Sequence, residues 1–134
     1  MEITVEHVKE ALDYVEYDHY GLPVIEINEK RYAVGNPVNI QEAVVEYCRD
    51  NIQHFEPELL AENSKFSTCL FKRLQDGEIF DSYVYLELIN DLESFAEAAK
   101  ATYGRGHFLA TYDGEEIEVY DNKKNLVYYI YRIK

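Results

Sequence analysis

The chain has no tryptophan, only two cysteines, three prolines and six glycines in 134 residues, and half as many cations as anions. Cys48 and Cys69 show no CxxC spacing and no matching histidine pair, which argues against a disulfide or a thiolate metal site. Both lie in segments of helical periodicity and are expected to be small buried apolar residues. No internal repeat or low-complexity linker is visible, so residues 1–134 are expected to form a single domain. No apolar run approaches the roughly 20 residues of a membrane span. The opening MEITVEHVKE has no basic region followed by an apolar run, so no secretory signal and a soluble, cytoplasmic protein are expected.

The shortage of cations is the most informative of these absences. Thirteen Lys and Arg face twenty-six Asp and Glu, a formal charge of −13, beyond the magnitude of about 2–8 that keeps a small domain soluble. Residues 1–62 hold fourteen acids against four bases, and residues 63–134 hold twelve against nine. Affinity for nucleic acid depends on Lys and Arg displacing counterions from phosphates, so direct nucleic-acid binding is not expected. Aromatics at 14% and hydrophobic residues at 47% argue for a folded chain. Thirteen tyrosines suggest rings packed with their hydroxyls at a wet boundary.

Thr4 is placed to cap a helix over residues 4–17, in which Val5, Val8, Leu12 and Val15 form a core stripe. Glu2, Glu6, Glu10, Asp13 and Glu16 fall on an adjoining face, interrupted by Lys9. DHYGLP reads as a turn, and residues 24–27 and 31–34 as a hairpin around a short polar loop. Asn39 is placed to cap a second helix to about residue 54, with Glu42, Glu46 and Asp50 one turn apart. Pro57 opens a short helical turn, and Ser64 is placed to cap a helix over 65–75 with Phe66, Leu70, Phe71 and Leu74 inward and Gly77 at its end. From residue 76 to 97 there are seven acids and no base, in a helical stretch that Asp91 divides and Gly104 ends. For residues 83–89 strand is the alternative, favoured by their Tyr and Val content. Residues 107–112 and 115–120 around Asp113-Gly114 read as a type I′ hairpin. LVYYIYRI, apolar on both faces, reads as a central strand. The expected fold is α+β, with several helices on a small antiparallel sheet made of the N-terminal hairpin and three C-terminal strands. Val5, Val8, Leu12, Val44, Tyr47, Phe71, Phe95, Leu109, Val119 and Ile130 are expected in the core.

Catalytic and cofactor motifs are missing. His7, His19, His54 and His107 are scattered, with no HExxH, no GxSxG and no Cys/His pair of signature spacing. Gly104-Arg105-Gly106-His107 lacks the Gly-Lys-Ser/Thr of a phosphate loop and follows a helix, so it reads as a helix cap leading into a strand. No DxDxDG run marks a calcium loop. No catalytic residue, metal or cofactor is expected.

Residues 103–116, YGRGHFLATYDGEE, with the closing YRIK, resemble the end of short uncharacterised proteins carried by phages, plasmids and other mobile elements. YGLPVIEI and KRYAVGNPVNIQEAVVEYCRDNI resemble their middle, and together the segments cover about half the chain. The resemblance implies a mobile-element setting, and the cytoplasm of a host cell if the chain is phage-encoded. It transfers no catalytic residue, and it favours an anti-defence role.

Successive turns of a helix set side chains about 5–6 Å apart, a spacing comparable to that of phosphates along a strand. A rigid acidic helix face is therefore suited to the basic channel of a nucleic-acid-handling enzyme. The expected function is inhibition of a host restriction or CRISPR factor by a DNA-mimicking surface. The expected contacts are Glu6, Glu10, Asp13, Tyr14, Glu16, Tyr17, Glu42, Glu46 and Asp50, with Tyr20 adjacent. The alternative is a non-catalytic binding module that uses a tyrosine-rich sheet face, since Tyr128 and Tyr131 point to opposite sides of their strand.

Overall fold

The computed structural model describes residues 3–13 and 17–134, with side chains described for 3–10 and 19–134. They group into two compact units, Met1–Val44 with Tyr103–Lys134, and Val45–Thr102. The fold is α+β.

Helix α1 (Val5–Asp13) opens on Thr4, whose Oγ1 accepts from His7 N at 3.5 Å while Thr4 N donates to His7 Nδ1 at 3.1 Å. This is a reciprocal cap of the kind a Ser/Thr box forms, with an imidazole in place of the carboxylate. The helix is described as far as Asp13, and Tyr17 lies in strand β1 (Tyr17–His19) rather than in a helix to residue 17. Leu12 and Val15 fall outside the described side chains. The turn expected over residues 18–23 shrinks to Tyr20 and Gly21, both at positive φ, and its flanks pair Tyr17 with Pro23.

Strands β2 (Leu22–Ile27) and β3 (Lys30–Gly35) form the expected hairpin. Asn28 and Glu29 turn it at φ 51 and 69, the two positive angles of a type I′ turn. Helix α2 (Pro37–Asn51) follows. Its cap is Asn36, not Asn39: Asn39 N donates to Asn36 Oδ1 at 2.8 Å, and Asn36 N to Asn39 Oδ1 at 3.3 Å. Proline at the first helical position, where no N–H is needed, fixes that frame.

The second unit continues through a 3₁₀ turn (Ile52–His54), α3 (Pro57–Glu62), α4 (Thr68–Asp76), α5 (Ser82–Leu88) and α6 (Leu92–Tyr103). Ser67, not Ser64, caps α4, its Oγ accepting from Leu70 N at 3.3 Å. Ser64 instead makes an isolated bridge to Ile89, so Phe66 precedes the helix and is exposed. Residues 82–88 are helix rather than strand, because Asp81 Oδ1 takes Tyr83 N at 3.0 Å and caps that turn. Asp91 divides α5 from α6 by accepting Ser94 N and Ser94 Oγ. Those bonds hold its carboxylate below the ordinary range, the hydroxyl contributing most. Phe55 meets Phe95 edge-on at 4.9 Å, and Phe71 stacks on Tyr85 at 6.4 Å. Cys48 is buried, and burial pushes its thiol up to about 12. Cys69, expected inside, is exposed. Two residues turn a helix by about 200°, so buried Phe71 puts Cys69 on the outer side.

Gly104, at φ 85, ends α6, and a single helical turn α7 (Arg105–Leu109) follows where a strand was expected. Asp113-Gly114 therefore does not join two strands. It turns the chain between α7 and β4 (Glu116–Asp121), with Asp113 Oδ1 accepting Glu115 N at 3.0 Å and Gly114 at φ 73. The last hairpin joins β4 to β5 (Leu126–Arg132), so two C-terminal strands form where three were expected. Asp121 Oδ1 organises its loop by accepting Lys123 N and Lys124 N.

The sheet is antiparallel in the order β1-β2-β3-β5-β4, so LVYYIYRI is an inner strand, as its two apolar faces imply. One face carries Tyr32, Val34, Tyr128 and Ile130, buried with Val8 of α1 and flanked by Ile3, Ile25, Ile27 and Val119. The opposite face carries Ala33, Gly35, Tyr129 and Tyr131 by the alternation of strand side chains. There the backbone of Gly35 approaches Ile40 of α2, and a Cβ at Gly35 would lie 3.0 Å from Ile40 Cδ1. Of the expected core, Val8, Val44, Phe71, Phe95, Leu109 and Ile130 are buried, while Val5, Tyr47 and Val119 are partly so.

Candidate functional site

Helix α1 has one side on the sheet and the other in solvent. Val8 is buried, Glu6 and Glu10 are exposed one turn apart, and Lys9 turns toward Asp121, Nζ to Oδ2 at 3.9 Å. Asp121 is only 3% exposed, so that cation serves a buried carboxylate rather than the outer acids. Along α2, Glu42 and Asp50 are exposed. Glu46 lies between them in the row but accepts Arg49 Nη1 at 2.7 Å, which offsets part of the charge there. The structure thus brings together Glu6 with Glu10, and Glu42 with Glu46 and Asp50 along one helix. The side chains of Asp13, Tyr14, Glu16 and Tyr17 lie outside the described residues. Tyr20 is partly buried against the His19 ring at 5.0 Å.

The tyrosines of β5 do not offer an open face. Tyr128 and Tyr131 are both buried, one on each side of the sheet. On the second side Arg105 of α7 lies over the Tyr129 ring at 4.2 Å and pairs with Glu116, Nε to Oε1 at 3.0 Å and Nη2 to Oε2 at 3.0 Å. Tyr131 OH donates to the same Glu116 Oε1. Burial, then the bond to Glu116 and its charge, push the Tyr131 phenol well above its ordinary value. Burial opposes the Arg105 charge, but Tyr129, Tyr131 and Glu116 outweigh it and raise the guanidinium. Both Glu116 oxygens are engaged, so this cluster clamps α7 to the sheet. His107 is exposed and stacks on Tyr103 at 5.0 Å.

This clamp has a pH signature. A phenol ionises near pH 10 in an unfolded chain, whereas the folded chain holds the Tyr131 proton. The stability is complete below about pH 10 and falls as pH rises further, because the unfolded state then binds fewer protons. Buried Cys48 acts in the same direction from about pH 9. Tyr131→Phe is expected to lose less stability than the parent between about pH 8 and 11, compared by urea midpoints at each pH. Parallel losses would mean that the hydroxyl is not held in this way.

Three exposed residues escaped the pattern reading: Ile79, Phe80 and Tyr83 at 43%, 44% and 77% exposure. Their only signal in the sequence is their place in the base-free run 76–97. Among the described residues no group of three or more His, Cys, Asp or Glu is arranged to hold a metal ion, and no helix is long and apolar enough to cross a membrane. The chain matches no protein-family model, and comparison with curated proteins and with solved structures gives no match.

Proposed function

We propose that this chain is a non-catalytic anionic protein that docks on the basic, nucleic-acid-binding surface of a host defence factor of the restriction or CRISPR type. The observation that carries the reading is the exposed pair Glu6 and Glu10 on a helix whose other side is anchored in the core and whose lysine is turned to Asp121. Carboxylates held on a packed helix need little ordering on association, and anionic patches of this kind steer encounter with a basic channel. The net charge of −13 adds long-range attraction, and the resemblance to mobile-element proteins supplies the setting.

Reversal of Glu6 and Glu10 to lysine is expected to slow association with a purified restriction or CRISPR nuclease about tenfold or more at low salt, without changing the melting temperature. The gap should close as salt screens the parent's attraction. Stopped-flow association over a salt series reads both effects. A nuclease that takes up the reversed protein as fast as the parent at low salt contradicts the reading.

A further inference from the structure

We propose that residues 78–83, with Glu87 beside them, form a docking surface for a basic segment of a partner protein that carries an aromatic or long aliphatic anchor between Lys or Arg residues. The inference rests on the reading of the chain as an anionic ligand and names a surface within the second unit that has its own apolar centre.

The segment lies between α4 and α5, where a loop would ordinarily hide its apolar side chains or lack them. Here Ile79, Phe80 and Tyr83 are exposed together, while Asp76, Glu78, Asp81 and Glu87 around them are exposed as well. The chain has no Lys or Arg between Arg73 and Lys100. Phe80 rests on the ring of His54 at 5.2 Å, which fixes one of its sides and leaves the other outward.

The backbone beneath these side chains is tied down. Ile79 N donates to Leu74 O at 2.9 Å and Glu78 N to Gln75 O at 3.0 Å, the paired bonds of a Schellman helix end. Tyr85, fully buried, donates its hydroxyl to Ile79 O at 2.5 Å, and Asp81 caps the next helix. The apolar side chains are therefore presented on a preorganised frame, which lowers the entropy lost on binding.

One residue breaks the local rule. The left-handed position of this helix end belongs by preference to glycine, yet it is occupied by Glu78, at φ 57, while Gly77 just before it sits at φ −81. With its backbone in this strained position, the Glu78 side chain contributes nothing to the helix end that glycine would not do better. It does place a negative charge beside Ile79 and Phe80. An apolar centre with an acidic rim fits a partner segment of opposite pattern, since rim charges select and orient while the aromatic anchor supplies most of the affinity.

The test uses the full-length protein, isotopically labelled, titrated with two synthetic peptides of alternating arginine and alanine, one with a central tryptophan and one with alanine in its place. Amide shifts are expected to cluster over residues 76–87, and the tryptophan peptide should bind about tenfold more tightly than its control. Phe80→Ala with Tyr83→Ala should abolish that preference. Glu78→Gly should melt at the same temperature or higher while binding more weakly, an outcome that loss of folding would not produce. Shifts on α1 around Glu6 and Glu10 with none over 76–87 would overturn this inference and leave the proposed function standing. Absence of binding by either peptide at low salt would overturn both.

Discussion

Replacing Phe95 by alanine is expected to remove about 3–5 kcal/mol of stability, the usual cost of deleting a buried aromatic ring. Phe95 is fully buried on α6 between Asp91, which caps that helix, and Ala99, also fully buried one turn on. Its ring stands edge-on to Phe55, which itself meets Tyr47 edge-on at 6.4 Å, so the substitution also forfeits an aromatic pair worth about 0.5–1.5 kcal/mol beyond its buried area. Ala96 and Ala99 are too small to fill the space. A urea midpoint within error of the parent's would mean that α6 does not hold this ring inside.

The second large effect belongs to Gly106. A Cβ at that position would stand 2.5 Å from Gly114 O and 3.2 Å from Gly114 C, so even alanine collides with backbone rather than with a side chain that could swing away. The turn it strikes is tied on both sides: Gly114 N donates to Ala110 O at 2.7 Å, and Tyr112 N to Arg132 O at 3.1 Å. Gly106→Ala is therefore expected to cost on the order of 2–3 kcal/mol. It should also loosen the Arg105–Glu116 pair, since both partners flank the displaced turn. Gly104→Ala is the comparison. There nothing lies within 4 Å of the added carbon, and only the positive φ resists, so the loss should be nearer 1 kcal/mol. Equal losses at the two positions, read from equilibrium unfolding, would rule out the steric contact.

These two positions also mark what the sequence made legible. Phe95 falls on the inner side of a periodic helix, and its burial followed from spacing. Gly106 sits in α7, five residues long and too short for any period to register, so residues 104–107 read from sequence as a cap leading into a strand over residues 107–112. Asp113-Gly114 did signal a turn, and Gly114 takes the positive φ that glycine permits. A turn signal is local, however, and does not say which elements it joins. The hairpin at Asn28 and Glu29 was legible because alternating strands stood on both sides of it. The rows of acids on α1 and α2 were legible from helical period, whereas the pairing of Glu46 with Arg49, three residues away, came from the structure. So did the pull of Lys9 toward Asp121, since 112 residues separate them and only the sheet brings them close. The exposure of Ile79 and Phe80 was not legible for the opposite reason: apolar residues between two helices carry no mark of which way they face.

The central claim, that the acidic surface takes the place of nucleic acid on a basic partner, is tested most directly by competition. A labelled DNA duplex is bound to a purified restriction or CRISPR nuclease, and its fluorescence anisotropy is followed as the protein is added at low and at high salt. The claim predicts that the duplex is released in proportion to the protein bound, that release weakens as salt rises, and that Glu6→Lys with Glu10→Lys needs a higher concentration for the same release. A protein that binds the nuclease while the duplex stays in place, or that itself binds the free duplex, would contradict it.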